Sequence, residues 1–471
     1  MLFDGDAGAQ RCWLLESLIF KIATSVFCAS TLECTIMNIT IRLISKSFGR
    51  HFHTTGSKPL NACIVGSGPA GFYSAQQLLK LIPDVTIDIF EKLPVPFASS
   101  PQVNFIGNVT LGQDITMSDL KAAYHIIVLT YGADHDREFG IPGESLKNVL
   151  SARRFVGWYN GLPDDSELDV NLDTETAVIL GQGNVAVDIA RILLSPVDIL
   201  KSTDITSRAL DTLSRSKVKT VFLVGRRGPL QVAFTIKEFR EMLNLPGVST
   251  LFQSGQLSGV PEAIENLPRP RKRLTQLIFD ASQKSPPASI TKKFCPLFFR
   301  SPNNFEGTQS VEKVNFVVNK LEGDKAVPSS EVESIECGLA LRSIGYKSVS
   351  VDPGIPFDEK TSTVKNCENV YAAGWLATGP SGVILSTMSN AFQTAQSIAT
   401  DLKDMKIDIT SSKEGFPIIK EIISKNNTPV VDWDGWGKID SAEKERGKSL
   451  GKCREKILCV KEMLEIGGKI L

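Results

Sequence analysis

The sequence predicts an α/β fold of two interleaved domains, each a parallel sheet flanked by helices, one inserted into the other. A strand, glycine turn, helix and second strand succeed one another from Leu60, and the same succession starts again at Thr176. Strands alternating with helical spacing are the pattern of parallel sheets with crossover helices. A last strand, turn and helix from Asn369 returns the chain to the first domain, giving boundaries at 58–134, 135–344 and 345–471.

Composition bounds what such a chain can do. Among 471 residues, 52 Lys plus Arg balance 52 Asp plus Glu, which excludes a polybasic binder driven by nucleic-acid phosphates. At 42% hydrophobic residues the chain can bury a sizeable core, so it is not intrinsically disordered. Nine scattered cysteines without a Cys-x-x-Cys pair read as reduced thiols, and four histidines are too few for a His-built centre; no metal is expected.

Residues 1–57 differ from the rest. From Met37 the chain reads MNITIRLISKSFGRHFHTTGSKP, basic at Arg42, Lys46, Arg50 and Lys58 and free of acids. This is the composition of a mitochondrial transit peptide. Residues 1–36 carry Asp4, Asp6, Glu16 and Glu33 and read as an upstream extension, the whole segment being disordered. Glu16 and Lys21 interrupt the apolar stretch Trp13–Ser30 and argue against a membrane span.

The first nucleotide fingerprint follows the apolar run Leu60–Val65 as Gly66-Ser67-Gly68-Pro69-Ala70-Gly71. Gly66 permits the tight turn, Gly68 lets backbone approach a pyrophosphate, and Gly71 lets the helix pack on the strand. The helix N-terminus then offers free N–H groups to phosphate. Glu91 ends the next strand twenty residues beyond Gly71, where a carboxylate accepts ribose hydroxyls and repels a 2′-phosphate. The site therefore suits the adenosine of FAD or NAD.

A second fingerprint, Gly181-Gln182-Gly183-Asn184-Val185-Ala186, follows Thr176–Leu180. The strand Thr220–Val224 ends in Gly225-Arg226-Arg227, with two arginines where the first unit has Glu91. Paired guanidinium groups bind phosphate bidentately, so this site selects NADPH over NADH. One site holds a flavin and the other supplies it with electrons. Further on, Gly374-Trp375 and the turn Gly379-Pro380-Ser381-Gly382 precede a long helix from Val383. Backbone N–H groups there suit a reduced, anionic flavin ring, and Trp375 is a candidate either to cover it or to fix its orientation.

These motifs resemble the mitochondrial NADPH–adrenodoxin (ferredoxin) oxidoreductases. The matches are VGSGPAGFYSAQ, the stretch from GNVTLGQDIT through SARRFVGWYNGLP, VILGQGNVAVDIARILL, VGRRGPLQVAFTIKEFREM, PRPRKRL, LRSIGYKS and GPSGVILSTM, over most of residues 60–400. The resemblance implies two interleaved Rossmann-like dinucleotide-binding domains and FAD contacts from Ala70, Glu91, Leu111, Trp375, Gly382, Val383 and Ile384. It implies NADPH contacts from Gln182, Gly183, Asn184, Val185, Arg226, Arg227, Glu238 and Gly382, with Asp188 in a polar role near the reacting rings. An acidic 2Fe–2S ferredoxin is expected to dock on Arg240, Arg269 and Arg273, serving steroid hydroxylation or iron–sulfur cluster assembly. The expected protein is monomeric, in the mitochondrial matrix or peripheral on the inner membrane, without nucleic acid.

The chain departs from this family after Pro94-Val95-Pro96-Phe97. Only 16 residues separate Lys92 from Gly107 inclusive, too few for a loop, a full helix and another strand. A family histidine expected to face Asp188 is absent there. A second reading therefore stands beside the enzyme: a chain that binds nucleotide or partner without turnover. A disulfide reductase on the same plan would need a close redox cysteine pair, and a glutamate-synthase-like subunit would need cysteine clusters; the sequence has neither.

Overall fold

The computed structural model describes residues 60–284 and 290–471; the transit peptide and extension expected over 1–57 lie outside the described residues. The described chain divides into two compact units. The first comprises residues 60–135, Tyr346–Glu445 and Cys459–Leu471, and the second Asp136–Gly345 with Arg446–Leu458.

In the first unit, five parallel strands lie in the order Val370–Ala372, Ile126–Leu129, Leu60–Val65, Val85–Glu91, Asn104–Gly107. Alternation sorts their side chains between two cores. Ala62, Ile64, Ile87 and Ile89 pack with Leu78, Ala391, Ala395 and Ile398 of the helices Pro69–Leu81 and Ile384–Lys403. Cys63, Val65, Ile127 and Leu129 pack with Leu120, Ile419 and Ile423 of the helices Met117–Ala123 and Phe416–Lys425. Apolar cover on both faces is what makes these strands continuous hydrophobic runs. Asn61 is one buried polar exception and Asp88 another. Burial pushes its carboxyl pKa up against the opposing hydrogen bonds of Asn104 and Tyr124, each at 2.7 Å.

The shortened segment keeps its strand and lacks a helix. Residues 92–103 form an irregular connection, rich in proline, that leads directly into Asn104–Gly107. Parallel strands usually need a longer, helical crossover. Here the carboxyl-terminal region supplies the missing cover. Gly107 and Val431 exchange backbone hydrogen bonds of 2.8 and 3.1 Å. The Trp433 indole N–H donates to the Val103 carbonyl at 2.8 Å, and its ring lies 5.1 Å from that of Phe105. Val430, Val431 and Ile439 of this region are core residues.

The second unit has six parallel strands in the order Val149–Ser151, Leu339–Arg342, Thr176–Leu180, Thr220–Val224, Lys292–Leu297, Val248–Thr250. It also holds an antiparallel meander, Arg300–Glu306, Lys313–Glu322 and Lys325–Glu336, which alternation in the sequence had not disclosed. Arg446–Leu458 joins this unit, whereas the sequence reading kept all of 345–471 with the first. Hydrogen bonds and an ion pair explain the difference. Glu455 accepts from the Ser207 N–H and hydroxyl, both at 2.9 Å, and Lys456 pairs with Asp204 at 3.0 Å. No described helix is long and apolar enough to cross a membrane.

Candidate functional site

The glycine turn of the first unit is built by close approach. Gly66 has φ +107°, and its N–H reaches the Phe90 carbonyl at 2.7 Å. A Cβ at Gly71 would lie 2.2 Å from the Gly66 carbonyl oxygen, which no side chain tolerates. Gly68 differs: a Cβ there meets no described atom within 4 Å. Two glycines make the turn, and the third leaves open space over a helix N-terminus that has no side-chain cap. Thr130, missed in the sequence, braces the turn. Its hydroxyl is shared between the carbonyls of Val65 at 3.0 Å and Gly66 at 2.7 Å. Its place just past the strand Ile126–Leu129, at the sheet's carboxyl edge, was the available signal.

Glu91 turns its carboxylate onto this loop. Oε2 accepts from the Ser67 N–H and hydroxyl, both at 2.8 Å, and Oε1 from the Leu93 N–H at 3.1 Å. A carboxylate accepts about four hydrogen bonds, so Oε1 keeps a lone pair to offer. Ser67, a variable position of the fingerprint, thus fixes the Glu91 carboxylate.

Gly374, with φ +68°, joins the carboxyl-terminal motif to the same turn. A Cβ there would lie 2.6 Å from the Ala70 Cβ and 3.5 Å from Thr387, so the first turns of two helices meet over it. Its N–H is held by Asn390 Oδ1 at 2.7 Å. The Trp375 ring stacks on Tyr346 with centroids 5.9 Å apart. Gly382 takes φ +84°, and Val383 begins the helix Ile384–Lys403 without a side-chain cap. Leu111 is buried in the core below. Ala70, Glu91, Trp375 and Gly382–Ile384 therefore all belong to one unit, around one glycine turn and one further helix N-terminus.

The second unit repeats the device with opposite charge. Gly181, φ +131°, would place a Cβ 2.0 Å from the Ser343 carbonyl oxygen, whereas Gly183 again faces no described atom within 4 Å. Ala186 is fully buried against the sheet. The Gln182 amide donates to the Leu223 carbonyl at 3.2 Å, and Asn184 Oδ1 accepts from the Thr235 N–H at 2.7 Å. Val185 packs on the second core. Arg226 is exposed and Arg227 half-buried, and neither guanidinium has a carboxylate partner among the described residues.

Asp188 lies on the helix Asn184–Leu194 and is buried. The Tyr159 hydroxyl donates to it at 2.7 Å, and it pairs with Arg191. Arg191 also reaches Glu241 at 3.3 Å. Glu238 stands half-buried beside this network; burial raises its pKa, the Glu241 carboxylate adds to the shift, and Arg191 opposes it. Tyr159 sits on a separate helix, Ala152–Asn160, and so has no sequence spacing from Asp188; Arg191, three residues on along the same helix, had that spacing as its signal.

Arg240, Arg269 and Arg273 are exposed, on the helices Ile236–Leu243 and Arg269–Ser282, which pack together. Their neighbours in the basic run are engaged: Arg271 donates to the Val232 carbonyl at 2.6 Å, and Lys272 pairs with Glu265 at 2.8 Å. Cations in the first turn of Arg269–Ser282 oppose the helix dipole, so their placement is not explained by helix stability.

Two dinucleotide folds in one chain, one closed by a carboxylate and the other by paired guanidinium groups, define a two-dinucleotide-binding flavoprotein oxidoreductase. No family model matches the chain. It is 44% identical over 458 residues to NADPH:adrenodoxin oxidoreductase, mitochondrial, of Salvelinus fontinalis, covering 88% of this chain and 92% of that protein. The Homo sapiens protein of the same name is 44% identical over 468 residues, covering 90% of this chain and 94% of that one. Among solved structures, FprA of Mycobacterium tuberculosis in complex with NADPH is similar, with TM-score 0.81 and 30% identity over 87% of this chain and 100% of that one. The chain belongs to the mitochondrial NADPH:adrenodoxin oxidoreductase family.

Proposed function

We propose that the chain takes electrons from NADPH and passes them, through bound FAD, to an adrenodoxin-type 2Fe–2S ferredoxin in mitochondria. Its relatives are named for that reaction, and the contrast between Glu91 and the pair Arg226–Arg227 carries the reading within this chain. A flavin, when bound, accepts electrons in pairs and releases them singly; the residues here bind and orient. Open space at Gly68, with the N-terminus of Pro69–Leu81 beneath it, receives the FAD pyrophosphate. The free lone pair of Glu91 accepts a ribose hydroxyl. Trp375 and the first turn from Gly382 to Ile384 border the ring. At Gly183 the second N-terminus receives the NADPH pyrophosphate, and Arg226 and Arg227 hold its 2′-phosphate.

Asp188, held by Tyr159 and Arg191, serves as a fixed polar group near the nicotinamide end of this helix. The three exposed arginines Arg240, Arg269 and Arg273 dock the acidic ferredoxin. The protein works as a monomer in the matrix, or peripheral on the inner membrane, in steroid hydroxylation or iron–sulfur cluster assembly. Complete glycine turns fit an enzyme and a chain that binds without turnover equally; the relatives, named as oxidoreductases over about nine tenths of this chain, favour the enzyme. The test is an absorption spectrum before and after anaerobic NADPH: yellow protein bleached by NADPH is expected, and a colourless or unbleached preparation refutes the proposal.

A further inference from the structure

Three consecutive carbonyls, those of Gly225, Arg226 and Arg227, are each held from the antiparallel meander or the residue that precedes it. The Arg300 N–H donates to Gly225 at 2.9 Å and the Phe299 N–H to Arg227 at 3.1 Å. The Asn319 side-chain amide donates to Arg226 at 2.8 Å, across 93 residues of sequence. Two of these donors are backbone and survive any side-chain change. Of these three donors, Asn319 is the one that holds the loop by a side chain, which substitution removes.

Asn319 is itself fixed in place. It is 4% exposed, its amide also reaches Ser301 Oγ at 2.8 Å, and its backbone N–H donates to the Phe299 carbonyl at 2.7 Å. Strand register shifts between Val317 and Asn319, the kind of irregularity that re-aims one side chain. Phe299 adopts φ +60°, a conformation costly for a bulky residue and retained only where its surroundings over-determine it. Its ring lies 2.7 Å from where a Gly228 Cβ would sit. The meander thus grips the loop from Gly225 to Gly228 along its length.

We infer that Asn319 is a positioning residue for nucleotide selection: its amide holds the Arg226 carbonyl so that both guanidinium groups face one 2′-phosphate. This rests on the reading of Arg226 and Arg227 as the phosphate grip. A pair of flexible arginines makes a bidentate contact only if the backbone between them is held, because ordering it on binding costs affinity.

Asn319→Ala and the isosteric Asn319→Asp, which presents an oxygen in place of the donor, are tested in the full chain beside the Arg226→Ala/Arg227→Ala double variant. Dissociation constants are measured for 2′,5′-ADP and 5′-AMP, together with KM and kcat for NADPH and NADH using ferricyanide as acceptor. Loss of one hydrogen bond predicts about fivefold weaker 2′,5′-ADP and a similar rise in KM for NADPH. 5′-AMP, NADH and kcat at saturating NADPH stay within about twofold in both Asn319 variants. Equal weakening of both nucleotides, or unchanged 2′,5′-ADP binding, overturns the inference while leaving the arginine grip standing if the double variant loses discrimination. Unchanged discrimination in the double variant overturns both.

Discussion

Gly68→Ala and Gly183→Ala separate a cofactor defect from a folding defect. Gly68 has φ −70° and ψ −176°, and Gly183 has φ −92° and ψ 177°; any L residue adopts these angles. Neither new methyl meets a described atom within 4 Å. Apoprotein stability should therefore stay within about 0.5 kcal/mol, or rise by a similar amount through a stiffer unfolded chain. The methyl instead fills the space where a pyrophosphate must approach the backbone. Overfilling of that kind costs about 1–3 kcal/mol, so the affected cofactor binds about 5- to 150-fold more weakly. Gly68→Ala should weaken FAD, read by flavin fluorescence on titrating apoprotein, and Gly183→Ala should weaken NADPH while the protein stays yellow. Gly71→Ala is the contrast, since its methyl at 2.2 Å from the Gly66 oxygen lowers the urea midpoint of the apoprotein itself. Normal FAD affinity in Gly68→Ala, or a loss of NADPH instead, would refute the placement of the two cofactors.

Other outcomes follow from the same structure. Trp433→Ala should destabilise the first unit by about 3 kcal/mol and Trp433→Phe by about 1 kcal/mol in urea melts, because the indole ties the carboxyl-terminal region to Val103 and to the ring of Phe105 in the edge strand. Burial opposes ionisation of Glu144, but the N–H groups of Phe139 and Gly140 and the Arg342 guanidinium outweigh it and hold the pKa below the usual carboxylate range. A depressed folded pKa means stability that is present above about pH 4.3 and lost as pH falls through the folded value. Glu144→Gln should therefore flatten the acid limb of stability against pH and cost about 2 kcal/mol at pH 7; an unchanged limb would assign that loss elsewhere. Arg269→Glu with Arg273→Glu should slow association with an acidic ferredoxin about tenfold at low salt, measured by stopped flow, and leave NADPH reduction of ferricyanide unchanged.

Both glycine turns were legible in the sequence because their geometry is local. Gly66 and Gly181 need glycine for their positive φ and Gly71 for the Gly66 oxygen five residues away, and the charge ending each next strand is read directly as Glu91 or Arg226–Arg227. The alternation that splits Ala62 and Ile64 from Cys63 and Val65 is local too, so two covered parallel sheets could be foreseen. Folding alone decided which distant groups hold those residues still. Thr130, Asn390 and Asn319 act across 64, 16 and 93 residues, Val431 covers Gly107, and Arg446–Leu458 pairs with the second unit. Backbone hydrogen bonds and ion pairs of that reach carry no periodicity along the chain, because what they satisfy is a donor or acceptor in space.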